Sequence, residues 1–124
     1  MKDARIHIDH ILECIDWILR YTASGKGDFL ADRKTQSAVM RELQTLAEST
    51  QRLPAELKQQ RSEIPWEDIA GFRNILVHGY LGIGLERVWD IVARDLPPLR
   101  IAVGAMRGEN PTSEERPSAQ GDRR

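Results

Sequence analysis

The sequence lacks features that several classes of protein require. It has one cysteine, Cys14, which excludes an internal disulfide framework and favours a reducing compartment, so we expect a cytoplasmic protein. No apolar run approaches the roughly 20 residues that a membrane-spanning helix needs. The first residues, Met1–Arg5, lead directly into amphipathic sequence and do not resemble a signal peptide. We therefore expect no association with a membrane.

A surplus of positive charge is also absent. The formal net charge is −1, whereas proteins that follow a nucleic-acid backbone over a long track are usually basic. A local basic cleft is still compatible with this balance. Most of the cations are arginines, whose planar guanidinium groups suit phosphate better than ammonium groups do.

No segment alternates between apolar and polar residues with a period of two, so the sequence predicts no strands. Apolar residues instead recur at three- and four-residue steps, which predicts an all-α, up-and-down bundle of four to five helices. The predicted helices are Asp3–Tyr21, about Phe29–Gln51, Ala55–Gln60, a helix that starts at Ile64–Asp68 and runs to the glycines after His78, and about Leu85–Asp95.

Two prolines and a change of composition divide the C-terminal part of the chain. We expect Pro97 and Pro98 to break the last helix, after which Leu99–Met106 resumes for a turn or two. From residue 107 onward, glycines and prolines are scattered among charged and small polar residues. The sequence therefore predicts one helical domain at residues 1–106 and a disordered tail at residues 107–124. A domain of this size has a modest core, which favours a homodimer.

Residues 73–80, with the sequence RNILVHGY, hold the main candidate site. Arg73 offers a permanent charge and planar donors to phosphate oxygens, and His78 can accept or donate a proton near neutral pH. Together they suffice for cleavage of RNA by its own 2′-hydroxyl, with His78 as general base or acid and Arg73 stabilising the extra charge on phosphorus. This chemistry requires neither a metal nor a cofactor.

The spacing of these residues raises a geometric problem. A step of five positions puts Arg73 and His78 about 140° apart around a helix, so they do not share one face. Either the helix unwinds at His78, or two copies of the chain meet so that each site combines side chains from both. A purely structural interpretation also exists, in which Arg73 pairs with Asp68 or Glu67 and His78 interacts with the dipole of its helix end. Glu48 on the second helix would orient Arg73 if the two helices face each other; otherwise it is a solvated acid.

Other possible sites are weaker. His7, His10 and Cys14 share one helix face, but they lack a fourth ligand and the usual spacing of a zinc site. Gly82-Ile83-Gly84 follows no strand, so we interpret it as a loop and not as a nucleotide site. The three tryptophans are expected to pack between helices; they are Trp17, Trp66 and Trp89.

The motif and its surroundings resemble the HepT family of the HEPN superfamily of α-helical ribonuclease domains. The family motif is an arginine, four residues, a histidine, any residue and a tyrosine, and it corresponds here to Arg73, His78 and Tyr80, with the favoured polar residue Asn74 after the arginine. The resemblance covers roughly residues 3–103. It includes segments outside the motif: Phe29–Asp32, Ile64–Trp66, and Trp89 with Asp95–Pro97.

This resemblance implies the toxin of a bacterial type VII toxin–antitoxin pair. Such a protein is a homodimer and a metal-independent endoribonuclease acting on tRNA or mRNA, with the motifs meeting in the cleft between protomers. Its antitoxin is a minimal nucleotidyltransferase of the MntA type, which adds AMP to the motif tyrosine. By this resemblance Arg73 and His78 are catalytic, Asn74 and Glu48 support them, and Tyr80 is the modified residue. An alternative is a dimeric partner and substrate of the nucleotidyltransferase, without catalysis of its own.

Overall fold

The structure is a computed structural model, and it describes residues 2–78 and 84–109. All regular structure in these residues is helical, as predicted, and they contain no strand. The elements are α1 (Lys2–Tyr21), α2 (Lys26–Ala31), α3 (Arg33–Gln51), α4 (Ala55–Gln59), α5 (Trp66–His78), α6 (Leu85–Asp90), a π-helical segment (Ile91–Asp95) and α7 (Leu96–Glu109). None of the helices in this part of the chain could span a bilayer, since none is both long and apolar enough.

Two long helices, α1 and α3, form the centre of the bundle. They pack against each other, while α5 also packs against α3 and α7 also packs against α1. The apolar stripe predicted for α1 is buried, because its isoleucines recur on the face that meets these neighbours. The fully buried members are Ile8, Ile11, Ile15 and Ile18. The predicted up-and-down bundle is thus confirmed for the fold of one chain.

The second predicted helix is wrong in one respect, because it is divided at Asp32 into α2 and α3. Asp32 has extended backbone angles, and its carboxylate accepts hydrogen bonds from the Lys34 N–H at 3.2 Å and from the Thr35 hydroxyl at 2.6 Å. An aspartate that caps the first turn in this way competes with continuation of the preceding helix. The break lets α2 turn Phe29 into the core, where its ring meets that of Trp89.

The C-terminal helix also differs from the prediction, because Pro97 and Pro98 do not end it. Both lie in the first turn of α7, directly after the π-helical segment. There the Leu96 N–H donates to the carbonyl of Ile91, five residues earlier. This wider turn relaxes the contact between a proline ring and the carbonyl four residues before it, which is what breaks a regular helix.

The end of α7 lies at Glu109, so residues 107–109 are helical and were wrongly placed in the tail. Residues 110–124 lie outside the described part, and a disordered tail there stays a prediction. Two ion pairs hold α7 antiparallel to α1: Arg100 with Asp16 at 2.9 Å and Arg107 with Asp9 at 2.7 Å.

Candidate active site

Helix α5 carries the predicted site, and it begins where the sequence indicates. The carbonyl of Pro65 accepts the first helical hydrogen bond, from the Ile69 N–H at 3.1 Å. The Trp66 indole N–H donates to the carbonyls of Lys58 and Arg61, at 3.1 and 3.0 Å, and so fixes the turn that leads into the helix. The register of α5, and with it the direction of the motif residues, is therefore set at its first turn.

One face of α5 packs on α3. Ile69, Phe72 and Leu76 from α5 are buried, as are Leu46 and Ala47 from α3. Because these apolar residues form the interface between the two helices, the polar residues that follow them in sequence lie at its edge. Arg73 follows Phe72, and Glu48 follows Ala47.

Arg73 and Glu48 meet at this edge. The Arg73 Nε donates to Glu48 Oε2 at 2.8 Å, and the two side chains are 49% and 40% exposed. Among the described residues, this is the contact that Arg73 makes, in place of a pairing with Asp68 or Glu67. Since only Nε is engaged in that contact, the two terminal amino groups of the guanidinium keep their donors for a phosphate at the surface.

His78 is the last residue of α5, and its side chain lies outside what the structure describes. The backbone is helical as far as His78, which does not match the unwinding that would turn its imidazole towards Arg73. The step of five positions from Arg73 to His78 also corresponds to a rise of about 7.5 Å along the helix axis. Tyr80, the predicted modification site, lies outside the described residues.

Asn74 is directed to a different surface from Arg73. It lines a groove between α5 and the helical segment that runs from α6 into the π turn. Arg87, Arg94 and Asp95 line the same groove. No role was predicted for these three residues from the sequence, because they are 13 or more positions from Asn74 and the resemblance, which includes Asp95, implies no function for it. Only the packing of the last helices brings them beside the candidate site.

The face of α1 that carries His10 and Cys14 is occupied by contacts with α3. His10 Nδ1 lies 2.6 Å from the Ser49 hydroxyl, and the Cys14 thiol lies 3.4 Å from the Thr45 hydroxyl. Burial raises the pKa of Cys14 to about 11, so the thiol stays protonated near neutral pH. Across the described part of the chain, no group of three metal-ligating side chains is assembled.

The tryptophans divide into two kinds. Trp89 and Trp66 pack against the core, as predicted. Trp17 does not, since it is 39% exposed on α1 and stacks on Tyr21 with a ring separation of 5.8 Å, while the Arg20 guanidinium lies 4.9 Å from its ring centre. The expectation for Trp17 was therefore wrong, because its position falls on a face of α1 that no other described helix covers.

Comparison with protein families matches residues 11–106 to the family described as HepT-like, ribonuclease HepT-like. A protein of Thermococcus cleftensis named "Probable ribonuclease HepT" is 36% identical over 95 residues, which cover 76% of this chain and 86% of the relative. A protein of Caldanaerobacter subterraneus subsp. tengcongensis named "Putative RNase" is 34% identical over 100 residues, or 80% of this chain and 89% of the relative.

A longer relative contains a similar region. The Methanocaldococcus jannaschii protein named "Gamma-glutamylcyclotransferase and putative RNase" is 36% identical over 100 residues, which cover 80% of this chain and 45% of the relative. The chain thus spans less than half of that protein. No solved structure matches the chain.

Proposed function

Since the chain belongs to the HepT-like ribonuclease family, we propose that it is the toxin of a bacterial type VII toxin–antitoxin pair, a metal-independent endoribonuclease that acts in the cytoplasm on tRNA or mRNA. The observation that carries this proposal is the ion pair between Arg73 and Glu48, which holds a guanidinium at the surface and leaves its terminal amino groups without a partner among the described residues. The names of the relatives, which describe ribonucleases, support the same class of reaction.

The proposed reaction is attack of an RNA 2′-hydroxyl on the adjacent phosphorus. His78 takes the proton of the attacking hydroxyl, or donates one to the departing 5′-oxygen, and the phosphorus–oxygen bond to the next nucleotide breaks. Arg73 binds the non-bridging oxygens, whose negative charge increases in the transition state. The guanidinium supplies this charge permanently, so no step depends on a metal ion.

We propose that the active unit is a homodimer. On a regular helix that continues to His78, side chains five positions apart would differ by about 140° around the axis, which one site in one chain does not accommodate. A second copy of the chain, related by a twofold axis, would bring the histidine of one protomer to the arginine of the other. Mixing the Arg73→Ala and His78→Ala proteins tests this arrangement, because heterodimers would regain one complete site while neither parent cleaves RNA.

The catalytic test is incubation of the purified protein with single-stranded RNA in the presence of EDTA. Wild-type protein should cleave RNA to products with cyclic phosphate ends, and Arg73→Ala and His78→Ala should each lose this activity while keeping the helical circular dichroism of the wild type. If wild-type protein leaves RNA intact, the chain is better explained as a non-catalytic dimeric partner of a nucleotidyltransferase. Cleavage by His78→Ala at the wild-type rate would contradict the mechanism.

The proposed regulation is addition of AMP to Tyr80 by an MntA-type nucleotidyltransferase. A phosphate-bearing group two residues from His78 would place negative charge near Arg73 and exclude an RNA phosphate. Intact mass of the protein after incubation with such an enzyme and ATP should show added AMP, and Tyr80→Phe should show none. If Tyr80→Phe still gains AMP, the residue that receives the AMP group is not Tyr80.

A further inference from the structure

A groove with a volume of about 540 Å³ runs along α5. Its walls come from α5 on one side and from α6 and the π-helical segment on the other. Six of the polar side chains that line it are Asp68, Asn74, Arg87, Asp90, Arg94 and Asp95. Phe72 and Ile91, each 2% exposed, also line it and provide apolar surface.

The polar side chains of this groove have no close partners. None of the six side chains makes a hydrogen bond or a salt bridge with another described residue, whereas the side chains of Arg73, Arg100 and Arg107 each pair with a carboxylate. Donors and acceptors that face one groove without satisfying each other are available to a ligand that carries both.

The charged side chains of the groove do not form ion pairs with one another, but they influence the pKa of Asp95. Burial raises the pKa of Asp95; Arg87 and Arg94 oppose that effect, while Asp68 and Asp90 add to it. Groups from α5, α6 and the π-helical segment therefore share one electrostatic environment. Glu67 also lines the groove, so its walls carry four carboxylates and two guanidiniums, an excess of negative charge that disfavours a phosphate inside the groove.

Gly71 keeps the groove wide. A methyl group built on its α-carbon would have no atom within 4 Å, although Gly71 lies in the middle of α5 and lines the groove. A β-carbon at this position would therefore be accommodated at the groove without a clash.

The groove meets α5 one position from Arg73 in sequence. Asn74 lines it and directly follows Arg73 in sequence. An RNA phosphate held at Arg73 would thus have a neighbouring nucleotide within reach of the groove, and the base would be the part that enters, because the carboxylates repel phosphate.

We propose that this groove binds the base next to the cleaved phosphate and selects guanine; the inference rests on the proposed ribonuclease function. Guanine presents two adjacent N–H donors, N1–H and the N2 amino group, which match the two oxygens of one carboxylate. Its O6 and N7 atoms accept a bidentate pair from arginine. Adenine, cytosine and uracil each lack the adjacent pair of donors, so a groove with both carboxylates and guanidiniums fits guanine best.

The test uses oligodeoxynucleotides that contain a single ribonucleotide, so that only one phosphate can be cleaved. The four bases are placed in turn on the ribonucleotide and on the nucleotide after it, and kcat/KM is measured in EDTA for each substrate. Wild-type protein should prefer guanine at one of the two positions by about tenfold or more, the discrimination expected of one good bidentate contact.

Three variants test whether the groove is responsible for the guanine preference. Asp95→Asn replaces one acceptor by a donor, and Gly71→Leu fills the groove; both should lower the ratio of kcat/KM for guanine over adenine towards one. Asp16→Asn, the same carboxylate-to-amide change on α1, should leave the ratio unchanged. Because leucine favours a helix more than glycine does, Gly71→Leu should unfold no more easily than wild type, and size-exclusion chromatography checks that its oligomeric state is retained.

Cleavage of all substrates at equal rates would overturn this inference and leave the ribonuclease function in place. A guanine preference that persists in both Asp95→Asn and Gly71→Leu would also overturn it, since another surface would then read the base. If the two variants lose binding to the nucleotidyltransferase while the base preference is kept, the groove is a protein-docking surface. Absence of cleavage with every substrate would refute the proposed function itself.

Discussion

Removing the Glu48 carboxylate tests whether Glu48 serves mainly to position Arg73 for catalysis or mainly to stabilise the fold. In Glu48→Ala the Arg73 Nε loses its acceptor at 2.8 Å, while the apolar interface between α3 and α5 is unchanged. The two side chains are 49% and 40% exposed, and pairs of this kind contribute about 0.2–1 kcal/mol. Alanine also favours a helix slightly more than glutamate does. We therefore expect the free energy of unfolding to fall by less than about 1 kcal/mol.

Catalysis should respond much more strongly. Without Glu48 the guanidinium can rotate about the bonds that the ion pair restrains, and misplacement of a catalytic group by about 1 Å costs on the order of 100-fold. We expect kcat for RNA cleavage to fall by about 10- to 100-fold. Glu48→Gln keeps an oxygen that can accept from Nε, so it should recover part of the loss. Steady-state cleavage of a fluorescent RNA and urea denaturation measure the two quantities on the same samples.

Asp16→Ala is the matched control, because Asp16 forms a similar ion pair with Arg100 at 2.9 Å, with 51% and 43% exposed side chains. It should lower stability by a similar amount and leave RNA cleavage unchanged. Wild-type cleavage by Glu48→Ala would show that Glu48 does not position Arg73. Equal losses of cleavage in Glu48→Ala and Asp16→Ala would show that both act through general stability.

Three further outcomes follow from the packing. Leu43→Ala removes a fully buried side chain of α3 and should lower the free energy of unfolding by about 2–5 kcal/mol in urea denaturation; a smaller change would contradict its placement. Cys14 ionises at its ordinary pKa of 9.0 when unfolded and at about 11 when folded, so stability should fall by about 2 kcal/mol more in wild type than in Cys14→Ala as the pH rises from 8 to 10.5. Asp32→Ala should lower Tm at pH 7. Since the hydrogen bond from the Thr35 hydroxyl lowers the pKa of Asp32 below 3.8, this difference should shrink as the pH falls towards 2; an equal difference at both pH values would refute the cap.

Much of the fold is predictable from local patterns. The apolar periodicity of α1 gives its bounds to within one residue, and Pro65 with the acids after it marks the start of α5. The break at Asp32 was missed because an aspartate inside a helical pattern is ambiguous until its carboxylate is seen to accept from Lys34 and Thr35.

Between α6 and α7 the sequence predicted a helix break that the structure does not have. Pro97 and Pro98 normally terminate a helix, and local rules gave that prediction. The chain continues because the π-helical segment places the two prolines in the first turn of α7, where α7 then packs on α1. Burial of Leu99, Val103 and Met106 stabilises this arrangement, and the contacts that bury them are far apart in sequence.

The sequence by itself determined the helical class, the residues of the motif and the chemistry that a guanidinium and an imidazole can perform, because these depend on residue type and short-range spacing. Only the tertiary structure decided that Glu48, 25 positions before Arg73, is its partner, and that Asn74 shares a groove with Arg87, Arg94 and Asp95. Both arrangements result from packing between helices, and the geometry of that packing depends on how whole apolar faces fit together.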